Sequence, residues 1–600
     1  MKKRMVMSML AGATLLASSL LGASPATARQ PAPAGQPAPA GQPAPAGQPA
    51  PAGQPAPASQ PALAGRTAGS TQPVAGPRSL DVPAEFGTDW HDPVTAAPPV
   101  PKPSGTFCQV TLAEAQFRDF TPYKGTYTPP AGCGDRWSKV VLRMDGKVKG
   151  RQFDRLGHLR VGGVEIFRTS TPEPSPDGIE WSVEKDVTRY SDTLRRDQDV
   201  EMLIGNVVDD TYTGVIDVKV TLTFHAGGPA AKSATKPVTK PVTKPATNPA
   251  APPDRVLTLQ GGTTLITPRN SERIVAEVYA TGSGGCEEFW YLSVPDPAPY
   301  SCKAAGGPYR EVQIKVDGRL AGIAAPFPHV WTGGWSNPFL WYVIPGPRAF
   351  DVKPLEYDLT PFAGLLNDGR PHRVDVQVVG VPEGQSGWSA PVNVLVWQDS
   401  ESARVTGGLT AHRAGDLANS STYTPGPEHR VDTRGGHRLT VSGYVDTSHG
   451  RVATTVRRTL GNTSVHRWAE GENPDALDAT WTDDESVTVD GRGSARTTRT
   501  QRTYTMDGSV AIGAADRLRT VLTLGDRATV VTVKSGRRTA WSRLHDTVEG
   551  DASWTLNVPR DQRHAVGTTS ERFRLYGSRG CYDRSLTSVQ GVLTEQRDRC

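Results

Sequence analysis

Alternating apolar and polar residues recur through the chain from about residue 104 onwards. In the clearest run, 218–224, apolar residues at every second position are separated by lysine and threonine. Such a period of two predicts a strand with one buried and one solvent-facing side. Similar segments predict strands at 139–143, 161–167, 179–183 and 200–204. No segment here has the period and caps of a long helix, so residues 104–225 are predicted to form a β-sandwich.

The same pattern returns in residues 254–399, which are predicted to form a second β-sandwich. Apolar residues alternate over 312–316, Asp317-Gly318 follows, and another apolar run begins at Leu320. An Asp-Gly pair between two such runs is a strong signal for a β-hairpin. Alternation over 374–378 and 392–396 predicts two further strands of this domain.

A short repeated motif indicates that the two sandwiches are duplicates of one another. The motif is Glu-x-Asp-(Val/Leu)-Thr, at 184–188 and again at 356–360, each time ahead of the last strand of its domain. A catalytic residue that is needed once would not have to appear in both halves. Asp186 and Asp358 are therefore predicted to be scaffold residues.

Residues 400–600 differ in composition and are rich in Thr, Arg, Asp and Gly. Apolar runs that precede Asp490-Gly491 and Gly525-Asp526 predict β-hairpins at both places. We expect a C-terminal β-rich domain whose arginine-rich strands present solvated faces, and no site is identified in it.

The N-terminal region lacks the alternation. Residues 1–28 combine a basic start, an apolar run and an Ala-Thr-Ala exit, which is the pattern of a secretory signal peptide. Residues 29–103, rich in Pro, Ala, Gly and Gln with repeats of QPAPAG, predict a disordered stalk. A linker rich in Lys, Pro and Thr is predicted at 226–253. The mature protein is therefore expected to be secreted, either free or associated with a cell wall.

Charge and motifs exclude several classes of function. The net charge is +5 over 600 residues, with acidic and basic residues interleaved, so a nucleic-acid partner is not expected. Apart from the N-terminal run, no stretch has the apolar length of a membrane span. The chain lacks the phosphate-binding, dinucleotide-binding, serine-nucleophile and zinc-protease motifs. Acidic side chains are therefore the remaining candidates for catalytic groups, and no metal site is expected.

The six cysteines fit an exported protein, in which an even number favours disulfide bonds. They fall in the sequence as three local pairs, and we predict that neighbours are bonded: Cys108–Cys133, Cys286–Cys302 and Cys581–Cys600.

Two acidic features stand out as candidate catalytic groups. Asp154 lies between Arg151 and Arg155 just before a predicted strand, although a surface ion-pair cluster has the same spacing. Glu287 and Glu288 lie between a cysteine and aromatic residues that would raise the pKa of a nearby glutamate. On a strand only one of the two glutamates can face a given cleft, and a strand start with solvated glutamates is the alternative.

Aromatic residues are concentrated in the second domain, over 327–342. Glycines and prolines interrupt the segment, which predicts a loop with some exposed rings. Trp331 and Trp335, together with Trp290, are candidates for contacts with a sugar or a peptide, while packing against the sandwich is the physical alternative.

Several long motifs in order resemble the A-type peptide:N-glycanases over residues 107–399: GRQFDR, GGVEIFRTSTPEP, WSVEKDVTRY, VVDDTYTGV, EEFWYLSVP and PYREVQIKVDG. The resemblance implies hydrolysis of the amide between N-acetylglucosamine and asparagine, which releases the whole N-glycan and leaves aspartate. It implies N-glycosylated peptides and glycoproteins as partners and no cofactor. We expect a monomer.

Two shorter stretches resemble the bacterial F-type enzymes, which are built from two jelly-roll sandwiches with the site between them. Phe153-Asp154-Arg155 and Gly285-Cys286-Glu287-Glu288-Phe289 match their acidic motifs, which carries catalytic roles to Asp154 and Glu288. Trp290 replaces the second cysteine of the latter motif. The third acidic position falls near Asn206, so that role is open and could pass to Asp209 or Asp210.

The resulting hypothesis is an all-β protein of two tandem jelly-roll-like sandwiches and a C-terminal β-rich domain, preceded by the stalk, with a site split between the sandwiches. Arg155 would keep Asp154 ionised, and Arg168 would bind the sugar or the oxyanion. A carbohydrate-binding tandem sandwich without activity, or a glycoside hydrolase that cuts between sugars, are the alternatives.

Overall fold

The structure is a computed structural model, and it describes residues 82–226, 252–335, 337–385, 387–491 and 493–600. The described part is built from antiparallel β-sheets, which confirms the all-β fold. The predicted signal peptide, residues 29–81 of the predicted stalk and residues 227–251 of the linker lie outside the described residues. Among the described residues, no helix is both long and apolar enough to span a bilayer.

The first sandwich consists of two four-stranded sheets, with strand orders β1-β8-β3-β6 and β2-β7-β4-β5. This order is that of a jelly roll, because each sheet takes its strands from both ends of the sequence. The strands are β1 (Phe107–Phe117), β2 (Tyr123–Tyr127), β3 (Trp137–Val148), β4 (Leu156–Val161), β5 (Val164–Ser170), β6 (Ile179–Asp186), β7 (Gln198–Ile204) and β8 (Ile216–Ala226). The segment 161–167, predicted as one strand, is part of a hairpin that turns at Gly162-Gly163.

The second sandwich repeats this topology, with orders β9-β18-β11-β15 and β10-β16-β13-β14. A two-stranded ladder of β12 and β17 and the short helix α1 (Ala363–Leu366) are added to it. The strands are β9 (Arg255–Thr258), β10 (Thr264–Leu265), β11 (Ser271–Val278), β12 (Thr281–Gly282), β13 (Glu311–Val316), β14 (Arg319–Ala324), β15 (Leu355–Asp358), β16 (His372–Val379), β17 (Trp388–Ser389) and β18 (Val392–Gln398). The hairpin at Asp317-Gly318 is confirmed, since β13 pairs with β14.

The repeated aspartates form the same hydrogen bond in both sandwiches. Asp186 Oδ1 accepts a hydrogen bond from the Thr188 backbone N–H at 3.0 Å, and Asp358 Oδ1 accepts one from the Thr360 N–H, also at 3.0 Å. Each carboxylate thereby holds the turn that leaves its strand. The prediction that both are scaffold residues is confirmed.

The C-terminal region forms one large antiparallel meander in which most strands are 17 to 19 residues long. Its order is β19-β21-β22-β23-β24-β25-β26-β27-β28-β29, with β20 paired to β21. The strands are β19 (Thr406–Ala414), β20 (Ala418–Thr424), β21 (His429–Thr447), β22 (Gly450–Trp468), β23 (Asp475–Gly491), β24 (Ser494–Ile512), β25 (Arg517–Lys534), β26 (Arg537–Thr555), β27 (Val566–Gly577), β28 (Gly580–Val589) and β29 (Val592–Asp598).

The hairpin predicted at Gly525-Asp526 is wrong, because β25 continues through both residues. Asp526 is buried and forms an ion pair with Arg348 of the second sandwich at 2.6 Å. The pair therefore marks a tertiary contact in the middle of a strand. The chain turns instead at Ser535-Gly536, where both residues have positive φ.

The meander covers the aromatic loop of the second sandwich. Trp335 packs on Gly508, where a methyl group would overlap its ring, and Leu340 lies 2.7 Å from where a methyl group on Gly550 would be. All six aromatic residues of the loop are buried: Phe327, Trp331, Trp335, Phe339, Trp341 and Tyr342. The prediction of exposed rings is wrong, because a partner far along the sequence supplies the other wall of the core.

Residues 82–103, here called the strap, correct the prediction of a disordered stalk up to residue 103. Trp90 stacks on Tyr342 with ring centroids 3.9 Å apart, and the Ala96 N–H donates to Glu571 at 2.6 Å. The strap thus joins the aromatic loop to the meander. All three predicted disulfides, Cys108–Cys133, Cys286–Cys302 and Cys581–Cys600, form.

Candidate functional site

Asp154 lies at the junction of the two sandwiches, just before β4. Its half-buried carboxyl lies near the backbone N–H groups of Thr332 and Gly333 in the aromatic loop. Burial raises the pKa of the carboxyl to about 6, against the lowering by these N–H groups and by the charge of Arg155. The first sandwich therefore provides a carboxyl that lies against the aromatic loop of the second sandwich.

The loop beside Asp154 is itself anchored to the first sandwich. The Thr332 hydroxyl donates to the backbone oxygen of Thr171, and its Oγ1 lies 2.9 Å from Ser170 Oγ. Thr171 in turn exchanges hydrogen bonds with Arg155, through its hydroxyl and its backbone N–H. These bonds connect the positions of the loop and of the aspartate.

Glu288 approaches the junction from the second sandwich. It follows the 3₁₀ turn Gly285–Glu287, and its Oε2 accepts the Gly284 N–H at 3.3 Å. Burial raises the pKa of this half-buried carboxyl to about 7, and the charge of Asp154 contributes to the rise. The Cys286–Cys302 disulfide fixes the turn. The structure thus brings the two predicted carboxyls into one electrostatic environment.

Glu287 points the other way, which corrects its place among the catalytic candidates. It is fully buried and forms a two-pronged ion pair with Arg310, at 2.6 and 2.9 Å, while Trp388 donates to it at 2.6 Å. Consecutive side chains in a 3₁₀ turn diverge by about 120°. As expected, the two glutamate side chains point in different directions, but they do so in a turn rather than in a strand. Glu287 is the one with a scaffold role.

Glu173 is an acidic residue that the sequence reasoning missed. It is 8% exposed, and its carboxyl lies so close to Gly333 that a methyl group there would be 2.8 Å from Cδ and 3.0 Å from Cγ. Burial raises the pKa of Glu173 well above its ordinary value, and the charge of Asp154 adds to this. The sequence contained a feature that could have identified it, because Glu173 lies between two prolines in the TSTPEP stretch that follows β5.

Arg155 is the cation at the centre of this group. Its guanidinium donates to Gln152 Oε1 at 2.5 and 3.1 Å. Burial lowers the pKa of Arg155, whereas the charges of Asp154, Glu173 and Glu288 oppose that effect. Three carboxyls and one guanidinium therefore interact at the junction, and we refer to them as the carboxyl cluster.

Arg168 does not lie in this cluster, which corrects the prediction of a sugar or oxyanion ligand. It is 1% exposed and forms an ion pair with Glu165 at 2.7 Å. It also donates to the backbone oxygen of Tyr279, to Thr281 Oγ1 and to Ser389 Oγ. With its donors occupied across the interface, Arg168 joins the sandwiches and cannot reach a substrate.

The residues proposed for the third acidic position also have structural roles. Asn206 is fully buried and donates to the backbone oxygens of Phe117 and Gly214. Asp209 is exposed, and its Oδ1 accepts from the N–H groups of Thr211 and Tyr212 at 2.7 Å each. Asn206 carries no charge and Asp209 closes a turn, so Glu173 is the third acid of the cluster.

The predicted tryptophan contacts need the same correction. Trp290 is 2% exposed and packs edge-on against Trp481 of the meander, at 5.4 Å between centroids. Trp331 stacks on His329 at 4.5 Å, and Trp335 is covered by the meander. None of these three rings offers a face to a glycan. Tyr212, which packs on Phe153, and the exposed Arg151 above it remain beside the cluster.

Two grooves lie elsewhere on the junction of the sandwiches, with volumes of about 260 and 510 Å³. The first is lined by Arg196, Gln198 and Arg255, and the second by Arg160 and Glu201 among others. Neither contains a member of the carboxyl cluster. The carboxyl cluster therefore lies outside both grooves. We place the candidate site at the cluster because its carboxyls interact electrostatically.

Fold and site together define a double jelly-roll protein with coupled carboxyls at the boundary between its sandwiches, an arrangement suited to acid–base catalysis. A family model described as Peptide N-acetyl-beta-D-glucosaminyl asparaginase amidase A matches residues 94–414. The chain belongs to this family.

A relative from Prunus dulcis, named Peptide-N4-(N-acetyl-beta-glucosaminyl)asparagine amidase A, is 31% identical over 354 residues. The match covers 56% of this chain and 61% of the relative, which is less than two thirds of its length.

Two solved structures are weakly similar to the chain. A structure of PNGF-II has 14% identity and a TM-score of 0.31, and the match covers 49% of this chain and 66% of that one. The exported protein XepA has 8% identity and a TM-score of 0.13, with 48% and 86% covered.

Proposed function

We propose that the chain is a secreted glycoamidase that hydrolyses the amide between N-acetylglucosamine and asparagine in glycopeptides and glycoproteins. The observation that carries the proposal is the pairing of Asp154 from one sandwich with Glu288 from the other, within a chain of this family. An amide needs an activated water and a proton for its poor leaving nitrogen, and two acids with different pKa values can supply both.

The roles follow from the order of the pKa values. Asp154 has the lower value, so it is the ionised base that takes a proton from the attacking water. Glu288 has the higher value and is protonated in the same pH range, so it donates a hydrogen bond to the amide oxygen as charge develops there. The C–N bond then breaks, and the proton held by Asp154 passes to the leaving nitrogen. The products are aspartate in the peptide and a glycosylamine.

Arg155 and Glu173 set the charge of the base. The guanidinium favours the ionised form of Asp154. Burial and the charge of Asp154 raise the pKa of Glu173, which favours the neutral form of this carboxyl beside the base.

The test is mass spectrometry of a defined N-glycopeptide after incubation with the wild type and with Asp154→Asn. The wild type should convert the glycosylated asparagine to aspartate, and Asp154→Asn should abolish this without loss of fold. Asp145→Asn is the matched control, because Asp145 is an exposed aspartate of the same sandwich, paired with Arg143.

Other products would decide against the proposal. A sugar that stays on the asparagine would indicate a glycoside hydrolase. A bound but unchanged glycopeptide would indicate a binding module. Near-normal activity of Asp154→Asn would remove Asp154 from the mechanism.

Secretion and a monomeric state are part of the proposal. Three disulfides are typical of exported proteins and support it. Expression with the native leader should place a protein that begins after residue 28 in the medium, and sedimentation of that protein should give the mass of one chain.

A further inference from the structure

Two arginines and a histidine lie side by side on the outer face of the meander, and we call them the basic row. Arg527 of β25 is directly opposite His545 of β26, which is directly opposite Arg574 of β27. Residues paired in this way on neighbouring strands present their side chains on the same face of the sheet. The adjoining Asp526 and Asp546 are buried, so the basic row points to the other side, where Arg527 is exposed.

The side chains of the basic row are in contact with one another. Arg527 Nε lies 3.0 Å from His545 Nε2, and a terminal nitrogen of Arg574 lies 2.6 Å from His545 Nδ1. An imidazole ring offers one acceptor nitrogen when it is neutral and none when it is protonated. At most one of the two guanidinium groups can therefore donate a hydrogen bond to the ring. At the other contact, two N–H groups meet without an acceptor between them.

The charge of the basic row is not balanced by an acidic side chain in the part of the chain that the structure describes. Neither Arg527 nor Arg574 forms an ion pair there, and the buried Nε of Arg574 has no hydrogen-bond partner. Asp583 lies opposite Arg574 on β28, but it is already paired with Arg572 at 3.0 Å and with Arg599 at 3.4 Å. Two other arginines thus share this single carboxylate, and it does not serve the basic row.

We propose that the basic row binds a phosphate or sulfate group on the outer face of the meander. A tetrahedral oxyanion has several acceptor oxygens, so it can accept hydrogen bonds from both guanidinium groups and from the N–H of His545. It supplies the acceptor and the negative charge that the row lacks. Arg543, which is exposed and lies two residues before His545, adds a cation on the same face. The site lies on strands beyond the matched region 94–414 and contains no member of the carboxyl cluster.

The test follows the imidazole of His545 by NMR of the full chain labelled with ¹⁵N-histidine, with the signal assigned through His545→Gln. Burial lowers the pKa of His545, and the charges of Arg527 and Arg574 lower it further, so a bound anion should raise it. Sodium phosphate or sodium sulfate is added at constant ionic strength, balanced with sodium chloride. Each should shift the signal saturably with a Kd of about 1 mM or lower, as a few charge-assisted hydrogen bonds give.

Variants locate the bound anion. Arg527→Gln combined with Arg574→Gln should weaken phosphate binding by at least about tenfold. Arg519→Gln is the matched control, because Arg519 is another exposed arginine of β25 and is already paired with Asp551. It should keep the wild-type Kd. If the double variant does not fold, Arg527→Gln alone, at an exposed position, should weaken binding severalfold.

The outcomes separate a built site from charge screening. A signal that moves equally in chloride at the same ionic strength would overturn the inference, and so would an unchanged Kd in the double variant. A polymer of glycerol phosphate is compared with inorganic phosphate to identify the source of the anion. Tighter binding of the polymer, reduced by Arg543→Gln, would support the site and assign it to phosphodiesters of a polymer. Equal binding per phosphate would support the site and assign it to the free anion.

Discussion

The pH dependence of hydrolysis should report Asp154 and Glu288, the two carboxyls that interact electrostatically at the junction of the sandwiches. The productive form has Asp154 ionised and Glu288 protonated, with pKa values of about 6 and about 7. Activity should therefore be greatest near pH 6.5, where about 60% of the enzyme is in this form. It should fall about tenfold per pH unit well below 6, as Asp154 is protonated, and well above 7, as Glu288 loses its proton.

The perturbation is Glu288→Gln. Glutamine keeps a hydrogen-bond donor for the amide oxygen but does not titrate, so the alkaline limb of the profile should disappear while the acidic limb stays. We expect kcat to fall by about 10²–10³, the cost of weakening one donor to a developing oxyanion. The assay is kcat/KM for a soluble glycopeptide from pH 4 to 9, in buffers of constant ionic strength.

A direct titration provides the control. The charge of Asp154 contributes to the raised pKa of Glu288, so Asp154→Asn should lower the Glu288 pKa, which NMR of ¹³C-labelled glutamate carboxyls can follow. A variant Glu288→Gln that retains both limbs would refute the assignment of the alkaline limb. An unchanged Glu288 titration in Asp154→Asn would show that the two carboxyls do not interact.

Three further changes test the scaffold of the site. Gly333→Ala should lower kcat by about tenfold or more with little change in the melting temperature, because the added methyl displaces the Glu173 carboxyl that adjoins it and shifts the backbone beside Asp154. Glu287→Gln should cost about 3–5 kcal/mol of unfolding free energy in denaturant titrations, since it leaves the buried Arg310 unpaired. Burial raises the pKa of Glu571 to about 7. Its contribution to stability should therefore be complete below about pH 4.5 and lost as the pH rises through 7. Glu571→Gln should remove the part of the fall in melting temperature between pH 5 and 8 that is due to this carboxyl.

The strands and their duplication could be predicted because they depend on local pattern. Alternation located β8, β13, β16 and β18, the Asp-Gly pair located a hairpin, and the repeated motif marked two copies of one topology. The local spacing of the cysteines sufficed for the disulfides. Each of these features is determined by residues that are near one another in sequence.

The errors share a different cause, which is contact between distant segments. Gly525-Asp526 has the composition of a turn, but Asp526 is needed for the ion pair with Arg348 in another domain. The aromatic loop has the composition of an exposed surface, yet a sheet nearly 200 residues away covers it. Local composition does not specify the partner, so neither outcome could be predicted from the pattern.

The candidate site could likewise be predicted only where its residues lie in local sequence motifs. Asp154 and Glu288 were found from motifs, and the structure places them in one environment, while their roles stay a proposal. Glu287 and Glu288 are neighbours in sequence, and only the buried Arg310 shows which of them is scaffold. Glu173 was overlooked because its place in the carboxyl cluster depends on its closeness to Gly333, which belongs to the other sandwich.

The meander extends far beyond the matched region 94–414, yet the site depends on it. Thr332 and Gly333 lie beside Asp154, and the loop that carries them packs on β24 and β26, with Trp335 on Gly508 and Leu340 on Gly550. A loop without this cover would expose its tryptophans and phenylalanines to water, which costs roughly 1.5–3 kcal/mol per large side chain. The backbone beside Asp154 would then lose its fixed position. The C-terminal sheet is therefore a structural condition for the position of Asp154.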